Sequence, residues 1–183
     1  MILRDYRPED FARLCELDRL CFPPGIAYTT EEMRLYIGDH RAFTIVAESP
    51  EREVVGFLIA RLDIGRLPRE RAGVRIGHLV TIDVHPDWQG RGIGTLLLRE
   101  AERRLRHAGA RAIVLETAVD NLRAIRFYAK HGYMVLRRLK GYYLGEKDAW
   151  RLMKALEPVK AHRPSAQVSE GEKSRDEQQH EKE

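Results

Sequence analysis

The pattern of hydrophobic and polar residues predicts short strands and helices that follow one another along the chain. In the first half, runs rich in Val, Ile and Phe predict strands at residues 2–6, 42–48, 54–62 and 74–84. Helices are expected from residue 8 to about 20 and from residue 29 or 30, because Pro8 suits a first turn and a threonine hydroxyl can cap the second helix. Glycine and proline interrupt residues 63–73, which are expected to form an arginine-rich loop.

The second half alternates between helix and strand. A helix is predicted from the glycine-rich turn near residue 92 up to Gly109, with buried positions at the helical period at Leu97, Ala101, Leu105 and Ala108. Residues 112–117 are nearly all apolar, which is typical of a strand in the centre of a sheet. A capped helix follows to residue 131, and the final strands are expected at residues 133–140 and 149–156.

This order of elements predicts an α+β domain built on a mixed, largely antiparallel sheet with helices on both faces. One strand-helix-strand unit in the second half accounts for the mixed character. The domain is expected to span residues 1–156, because residues 157–183 contain only four apolar side chains, two valines and two alanines. Such a segment cannot bury enough surface to offset its chain entropy, so it is predicted to be a disordered charged tail.

Composition narrows the functional classes. The net charge is +4, and the predicted tail holds more acidic than basic residues, so the folded part is distinctly basic. A basic domain suits nucleic acid, an acidic protein or a polyphosphate ligand as its partner.

The two cysteines, Cys15 and Cys21, are too few for a disulfide scaffold and lack metal-ligand spacing. This predicts buried thiols in a reducing compartment and no metal. Without a signal peptide or a membrane-length apolar stretch, a cytoplasmic location is expected.

A glycine-rich turn is the first candidate for chemistry. Gln89, Gly92 and Gly94 lie between a strand that ends near Pro86 and the start of a long helix, where backbone N–H groups and the helix dipole favour an anion. Arg91 adds positive charge to the turn. The alternative is a plain strand-to-helix connection. The Lys-Ser/Thr of a P-loop is absent, and a Rossmann fingerprint requires a parallel setting that this pattern lacks.

A carboxylate and a phenol form the second candidate. Glu116 ends the apolar strand, and Asn121 and Tyr128 lie on one face of the next helix at a spacing of seven residues. If that helix packs over the sheet edge, one group can accept a proton and the other can donate one. The alternative is a solvated charge at a strand end and a half-buried aromatic ring at a helix-sheet interface.

These motifs, in this order, resemble the GCN5-related N-acetyltransferase (GNAT) superfamily. The segments that carry the resemblance are residues 82–86, 89–95, 115–116, 121–128 and 131–133. Residues 20–23, 141–143 and 148–153 are similar to the group of ribosomal-protein-alanine N-acetyltransferases (RimI) and protein N-terminal acetyltransferases. The resemblance covers residues 1–156. The chain departs from that group in its tail, in its long arginine-rich loop and in having Tyr28 within a segment that often carries Trp.

The resemblance implies a fold, a co-substrate and a set of site residues. Acetyl-CoA is expected to bind the central strand, the glycine turn and the helix-capping asparagine, that is Ile82, Asp83, Val84, Gln89, Gly90, Arg91, Gly92, Ile93, Gly94, Thr95 and Asn121. Glu116 matches the general base of the group and Tyr128 the general acid. The acceptor is expected to be flanked by Phe22, Pro23, Tyr28, Tyr142 and Tyr143.

The implied reaction is direct transfer of acetyl to a protein amine, most simply the N-terminal α-amino group of a protein such as a ribosomal protein. An α-amine loses its proton more readily than lysine, and neither cysteine is expected near the site. Alternatives are a small-molecule amine, a protein lysine, or a non-catalytic acyl-CoA-binding module. No RNA- or DNA-reading motif is present. His78 and Tyr143 are the next candidates for base and acid.

Overall fold

The computed structural model describes residues 1–66 and 73–156. Within these residues the chain forms seven strands: β1 (Ile2–Asp5), β2 (Ala42–Glu48), β3 (Val54–Gly65), β4 (Val74–Val84), β5 (Ala112–Ala118), β6 (Met134–Tyr143) and β7 (Lys147–Ala155). The α-helices of the same residues are α1 (Phe11–Cys21), α2 (Thr30–Gly38), α3 (Ile93–His107) and α4 (Leu122–Lys130). The predicted tail, residues 157–183, lies outside the described residues, as does part of the arginine-rich segment.

The strands form one sheet in the order β1-β2-β3-β4-β5-β7-β6. All neighbouring strands are antiparallel except β4 and β5, which are parallel and joined by α3. This arrangement confirms the predicted mixed, largely antiparallel α+β fold. The strand-helix-strand unit expected in the second half is β4-α3-β5.

The core consists of two clusters on opposite faces of the sheet. In β2 and β3, Ile45 and Leu58 pack in one cluster with α3 and α4, whereas Val46 and Phe57 pack in the other with α1 and α2. Successive side chains of a strand point to opposite faces, so strands buried on both sides must be apolar throughout. This is why the sequence of the central strands shows continuous apolar runs.

Several predicted boundaries are wrong. The predicted loop at residues 63–73 begins too early, because β3 continues to Gly65, which pairs with Val74. Polar residues can continue this strand because its positions from Arg61 onward are no longer buried. The sixth strand continues past the predicted end at residue 140 to Tyr143, and the seventh begins at Lys147, so the paired tyrosines lie at the end of β6 and still precede the last strand. Ala108 is exposed rather than buried, because it caps the end of α3.

The parallel strands β4 and β5 separate partway along their length. Their pairing covers only Ile76–His78 against Ala112–Val114, although β4 continues to Val84 and β5 to Ala118. Beyond His78 the edge of β4 that faces β5 therefore has no strand partner among the described residues. The two strands diverge into an open gap, with the turn before α3 at its far end.

No helix of the described residues is long and apolar enough to cross a membrane.

Candidate active site

The turn before α3 presents a row of free backbone donors. Gly90 and Gly92 have φ angles of 77° and 83°, in the left-handed region that glycine adopts without strain, and Gly92 is the N-cap of α3. Within the described residues, no acceptor contacts the N–H groups of residues 90–95, and the first bonded amide is that of Leu96, which donates to the Gly92 carbonyl. A Cβ atom at Gly90 or Gly92 would meet nothing within 4 Å. The turn can therefore receive a phosphate group closely.

Side chains around the turn hold it in place. Gln89 donates from Nε2 to the Val84 carbonyl at 2.8 Å and accepts from Arg123, so it ties the turn to β4 and to α4. Arg91 stacks its guanidinium over the ring of Trp88 at 4.8 Å. Binding of the cofactor by Gln89 stays a prediction; its described bonds join the turn to β4 and α4.

Asn121 caps α4. Its Oδ1 accepts the N–H of Ala124 at 3.1 Å, as predicted for a helix-capping residue. The cap places the start of α4 beside the glycine turn, because Arg123 of the first turn of α4 reaches Gln89. Both helix starts thus face the same end of the gap between β4 and β5.

Glu116 is bound by two basic side chains. Its Oε2 lies 2.6 Å from His78 Nε2, and its Oε1 accepts from Arg151 Nε at 2.6 Å. The side chain is only 5% exposed. Burial alone would raise the pKa of Glu116, but the hydrogen bonds and charges of His78 and Arg151 outweigh it and hold that pKa below its ordinary value. Glu116 is therefore ionised at neutral pH, and in contact with a group that can take up a proton.

Tyr128 has a hydroxyl without a hydrogen-bond partner among the described residues. The residue is 6% exposed, and its ring packs edge-on against Phe127 and Tyr133 at 5.2 and 5.5 Å. Burial, followed by the nearby charge of Asp83, raises the pKa of Tyr128 well above its ordinary value, so the hydroxyl keeps its proton. A buried, protonated and unpaired hydroxyl can donate to a group that enters the gap.

Four tyrosines gather on the other side of Glu116. Tyr28 packs on Tyr36 with ring centres 4.9 Å apart, and its hydroxyl donates to the Val80 carbonyl at 3.1 Å. Tyr142 packs on Tyr143 at 5.0 Å, and its hydroxyl lies 3.5 Å from Glu116 Oε2. Burial and then the charge of Glu116 raise the pKa of Tyr143 to about 12. Rings from α2, from the α1–α2 connection and from β6 thus surround the approach to the carboxylate.

The connection between α1 and α2 is itself fastened to the core. Asp18 is fully buried, and its Oδ2 accepts the N–H of Tyr28 at 2.7 Å. At the tip between β6 and β7, Leu144 lies close to Gly25, since a Cβ at Gly25 would come within 3.1 Å of its Cδ1. The two segments that carry the tyrosines therefore touch above the sheet.

Some predicted site residues are placed differently from expectation. Phe22 and Pro23 lie on the same connection as Tyr28, but the described contacts do not join their side chains to Glu116 or to Tyr142. The expectation that neither cysteine lies near the site is wrong, because Cys21 Sγ donates to the Val84 carbonyl at 3.3 Å, where the end of α1 packs on β4. Burial raises the pKa of Cys21 to about 12, so it remains a thiol.

Asp83 can contribute to the site only through its backbone. Its side chain is 1% exposed and accepts only from the hydroxyl of Thr81, at 3.2 and 3.3 Å. Burial without a cationic partner raises the pKa of this carboxyl well above its ordinary value. Within residues 1–66 and 73–156, no group of three or more His, Cys, Asp or Glu side chains is arranged to hold a metal ion.

Two residues of this site, His78 and Arg151, were not predicted as its members from the sequence. His78 was named only as an alternative base or acid, and Arg151 was given no role. Both contact Glu116 because of strand register: the parallel pair sets His78 against Val114, and the antiparallel pair sets Glu116 against Arg151. The strands β4 and β7 carry other ionisable residues as well, so no signal in the sequence singles out His78 and Arg151.

Comparison with known proteins identifies the family. Residues 11–133 match the family described as Acetyltransferase (GNAT) family. The chain is 31% identical to an N-alpha-acetyltransferase of Sulfurisphaera tokodaii over 81% of this chain and 89% of that protein.

Two solved structures share the fold. The structure of Chaetomium thermophilum Naa20 in complex with a bisubstrate analogue has a TM-score of 0.70 and 25% identity, covering 85% of this chain and 87% of that one. The structure of Arabidopsis thaliana NAA60 in complex with acetyl-CoA has a TM-score of 0.72 and 21% identity, covering 85% and 98%. The resemblance drawn from the sequence motifs is thereby confirmed.

Proposed function

The chain belongs to the GNAT acetyltransferase family, and from this we propose that it is an N-alpha-acetyltransferase, which moves acetyl from acetyl-CoA to the N-terminal amine of a protein. The observation that carries the proposal is the short contact between Glu116 and His78, with tyrosines on one side and the open end of β4 on the other. A proton acceptor thus lies between a surface suited to a peptide and a strand edge suited to a cofactor.

The residues present fit acetyl-CoA. The free N–H groups of residues 90–95 suit its pyrophosphate. The edge of β4 around Ile82, which has no strand partner on this side, suits the amide groups of its arm, whereas the Val84 carbonyl already accepts from Gln89 and Cys21. The unpartnered hydroxyl of Tyr128 is available to its thioester end. When bound, acetyl-CoA supplies an acetyl group activated as a thioester. Asn121 and Gln89 maintain the shape of this surface.

We assign acceptance of the amine proton to Glu116 and His78 acting as a pair. Glu116 alone is a weak base, because its partners hold its pKa below the ordinary value. The imidazole of His78 lies 2.6 Å from the carboxylate, so a proton taken from the amine can be shared between the two side chains.

Tyr128 supplies the proton for the departing thiolate. Its raised pKa means that it is protonated whenever the pair is ready to accept a proton. Acid and base are then separate groups, with no hydrogen bond between them among the described residues. A protein α-amine, with an ordinary pKa of roughly 7.7–8.0, loses its proton to such a base far more easily than lysine near 10.4.

The tyrosine cluster favours a peptide as acceptor. Tyr28, Tyr142 and Tyr143 offer ring faces for a chain end, which a small polyamine would not use. N-terminal segments of ribosomal proteins are the first acceptors to test within this class.

The test uses one peptide sequence in two forms, one with a free N-terminus and one with a blocked N-terminus and an internal lysine. Each is incubated with acetyl-CoA and the full chain, and tandem mass spectrometry locates the acetyl group. Transfer to the free α-amine alone is the expected result. Exclusive acetylation of lysine, or of a polyamine supplied as competitor, would overturn the assignment.

A further inference from the structure

One face of the sheet is uncovered beside the proposed proton acceptor. The buried cluster beneath α1 and α2 takes its strand residues from β2, β3 and β4 only. Glu116 of β5 lies on this same face, because its partner His78 is two residues from Val80, which packs against that cluster. On this face of the sheet, β5, β7 and β6 therefore present to the side of Glu116 a surface that no buried cluster of the described residues covers.

Two arginines lie directly opposite each other on this uncovered face. Strand register pairs Glu116 of β5 with Arg151 of β7, and Arg151 in turn with Arg137 of β6. Residues that are paired across antiparallel strands point to the same face of the sheet. We call Arg137 and Arg151 the arginine pair. Like charges directly opposite each other destabilise a sheet, so the stability of the fold does not favour this placement.

The arginine pair has unused hydrogen-bond donors. Arg151 donates from Nε to Glu116 at 2.6 Å, and no described residue accepts from its two terminal nitrogens. Arg137 is exposed and has no ion pair or side-chain hydrogen bond among the described residues. The neighbouring Arg138, on the other face of β6, is in contrast bound to Asp148 at 2.6 Å. Free guanidinium donors match the geometry of a carboxylate, so the arginine pair is suited to bind one.

We propose that the arginine pair determines specificity: it binds an acidic side chain of the acceptor, so that protein N-termini with Asp or Glu among residues two to four are preferred. The inference rests on the proposed function, because it concerns the acceptor of the same reaction. Arg151 and Arg137 are one and two strand positions from Glu116, that is roughly 5 and 10 Å. An extended chain advances roughly 3.4 Å per residue. With its α-amine at Glu116, a chain that crosses β7 toward β6 therefore passes the arginine pair with these residues.

The surface next to the arginine pair suits the rest of an extended chain. Met153 is two residues from Arg151 and so lies on the same face, and it is paired with Met134 at the start of β6. Met134 is 71% exposed. Methionine side chains adapt to many shapes and do not require one particular partner. Charge is therefore the property by which this surface selects an acceptor.

The test compares acceptor peptides that differ in one charge. Peptides with a free N-terminus carry a single Glu, Gln or Lys at residue two, three or four, and a further set carries the same changes at residue eight. Initial rates with the full chain and saturating acetyl-CoA give kcat and KM for each peptide. At the best of positions two to four we expect KM to be about fivefold lower for Glu than for Gln, the upper end for an exposed ion pair, with no difference at residue eight. The kcat should stay the same, because the carboxylate is bound equally before and during the transfer.

Arg137→Gln removes one charge of the arginine pair and leaves the bond between Arg151 and Glu116 in place. Because Arg137 is exposed and faces a like charge, the melting temperature should be equal or higher. The preference for Glu over Gln should fall below about twofold, with kcat for the Gln peptide unchanged. Arg137→Glu should reverse the order, so that the Lys peptide has the lowest KM. Arg138→Gln is the matched control: it is adjacent on the same strand, but its side chain stacks over Trp150 on the other face, so the preference should stay as in wild type.

Equal KM values for the Glu and Gln peptides in wild type overturn the proposal. An equal loss of preference in Arg137→Gln and Arg138→Gln also overturns it, because it would show only a general effect of surface charge.

Peptide binding separates this inference from the proposed function. The same peptides, labelled with a fluorophore at the C-terminus, are titrated with the full chain in the presence of CoA, and their anisotropy is measured. If the Glu peptide binds about fivefold more tightly and this difference is lost in Arg137→Gln, but no α-amine is acetylated, the proposed function fails while the carboxylate site stands. If α-amines are acetylated without preference for Glu, only the role of the arginine pair fails.

Discussion

Replacing Glu116 by Gln tests the proposed proton acceptor while preserving its shape. The substitution removes the charge that binds His78 and Arg151, each at 2.6 Å, in a side chain that is 5% exposed. Charge-assisted hydrogen bonds contribute roughly 1.5–3 kcal/mol each. Gln can still accept one bond, and Arg151 is 30% exposed and can be solvated, so we expect the free energy of unfolding to fall by only about 2 kcal/mol. The protein should remain folded, since domains of this size are stable by about 5–15 kcal/mol.

The rate should fall much further than the stability. A general base contributes about 10²–10⁴ to the rate, so kcat for acetylation of a peptide N-terminus should drop by about that factor in Glu116→Gln. Initial rates at saturating acetyl-CoA, measured below the melting temperature of the variant, give this value. Binding of CoA, measured by calorimetry, should stay unchanged, because Glu116 does not belong to the glycine turn.

The stability difference should also depend on pH in a defined direction. The pKa of Glu116 is lowered in the folded protein, so its carboxylate stabilises the fold above the pKa of the unfolded chain, whose ordinary value is 4.5. As the pH falls through the folded pKa, that stabilisation is lost. The difference in unfolding free energy between wild type and Glu116→Gln should therefore be largest near neutral pH and shrink on acidification below about 4.

A matched control comes from the outer surface of α3. Glu100 accepts bonds from Arg103 and Arg104 at 2.7 and 2.8 Å, and it has no described contact with Glu116 or His78. Glu100→Gln should reduce stability by a smaller amount, because this site is more exposed, and should leave kcat unchanged. The reasoning is refuted if Glu116→Gln is folded and retains wild-type kcat, or if both variants lose activity equally.

Three further predictions concern the acid, the co-substrate and the tail. Tyr128→Phe removes a hydroxyl that has no described partner, so the melting temperature should stay the same while kcat falls by about 10²–10⁴; an active variant would exclude this acid. In Gly94→Val the new Cβ would lie 3.5 Å from Phe127, an ordinary contact, so the fold should survive while calorimetry shows CoA affinity reduced by at least about tenfold; unchanged affinity would remove the turn from the binding site. A chain that ends at Pro158 should keep its turnover, and a large loss would show that the predicted domain boundary is wrong.

The sequence predicts the parts of the site that depend on local structure. The glycine turn, the Asn121 cap and the sharp end of β4 at His85–Pro86 each need only neighbouring residues to form, so their patterns are readable in the chain. The central apolar strands are readable for a similar reason, because burial on both faces leaves no polar position. Strand ends are less readable: β3 runs to Gly65 through Arg61 and Asp63, whose side chains bond to each other along the strand, and Asp63 also accepts from Arg41 just before β2.

Contacts that depend on register could not be predicted in this way. Glu116 was recognisable as a candidate, but the sequence contains no local sign that His78 and Arg151 bind it, from 38 and 35 residues away. A shift of one residue in either strand pair would move one partner to the opposite face of the sheet. The same holds for Cys21, whose contact with Val84 depends on how the end of α1 packs on β4.

The position of His78 explains how rigidity and access occur together at this site. His78 is the last residue of β4 that pairs with β5, so strands on both sides fix its backbone. One step further along β4 the pairing with β5 ends, and the strand edge becomes available to a ligand. The proposed proton acceptor at this junction is held by a rigid element and still borders the opening that we propose for the reaction. If the parallel pairing extended beyond His78, it would close that opening. If it ended earlier, the backbone of His78 would lose its strand partner on the β5 side. The place where β4 and β5 part is therefore as important to the proposed chemistry as the side chains that surround it.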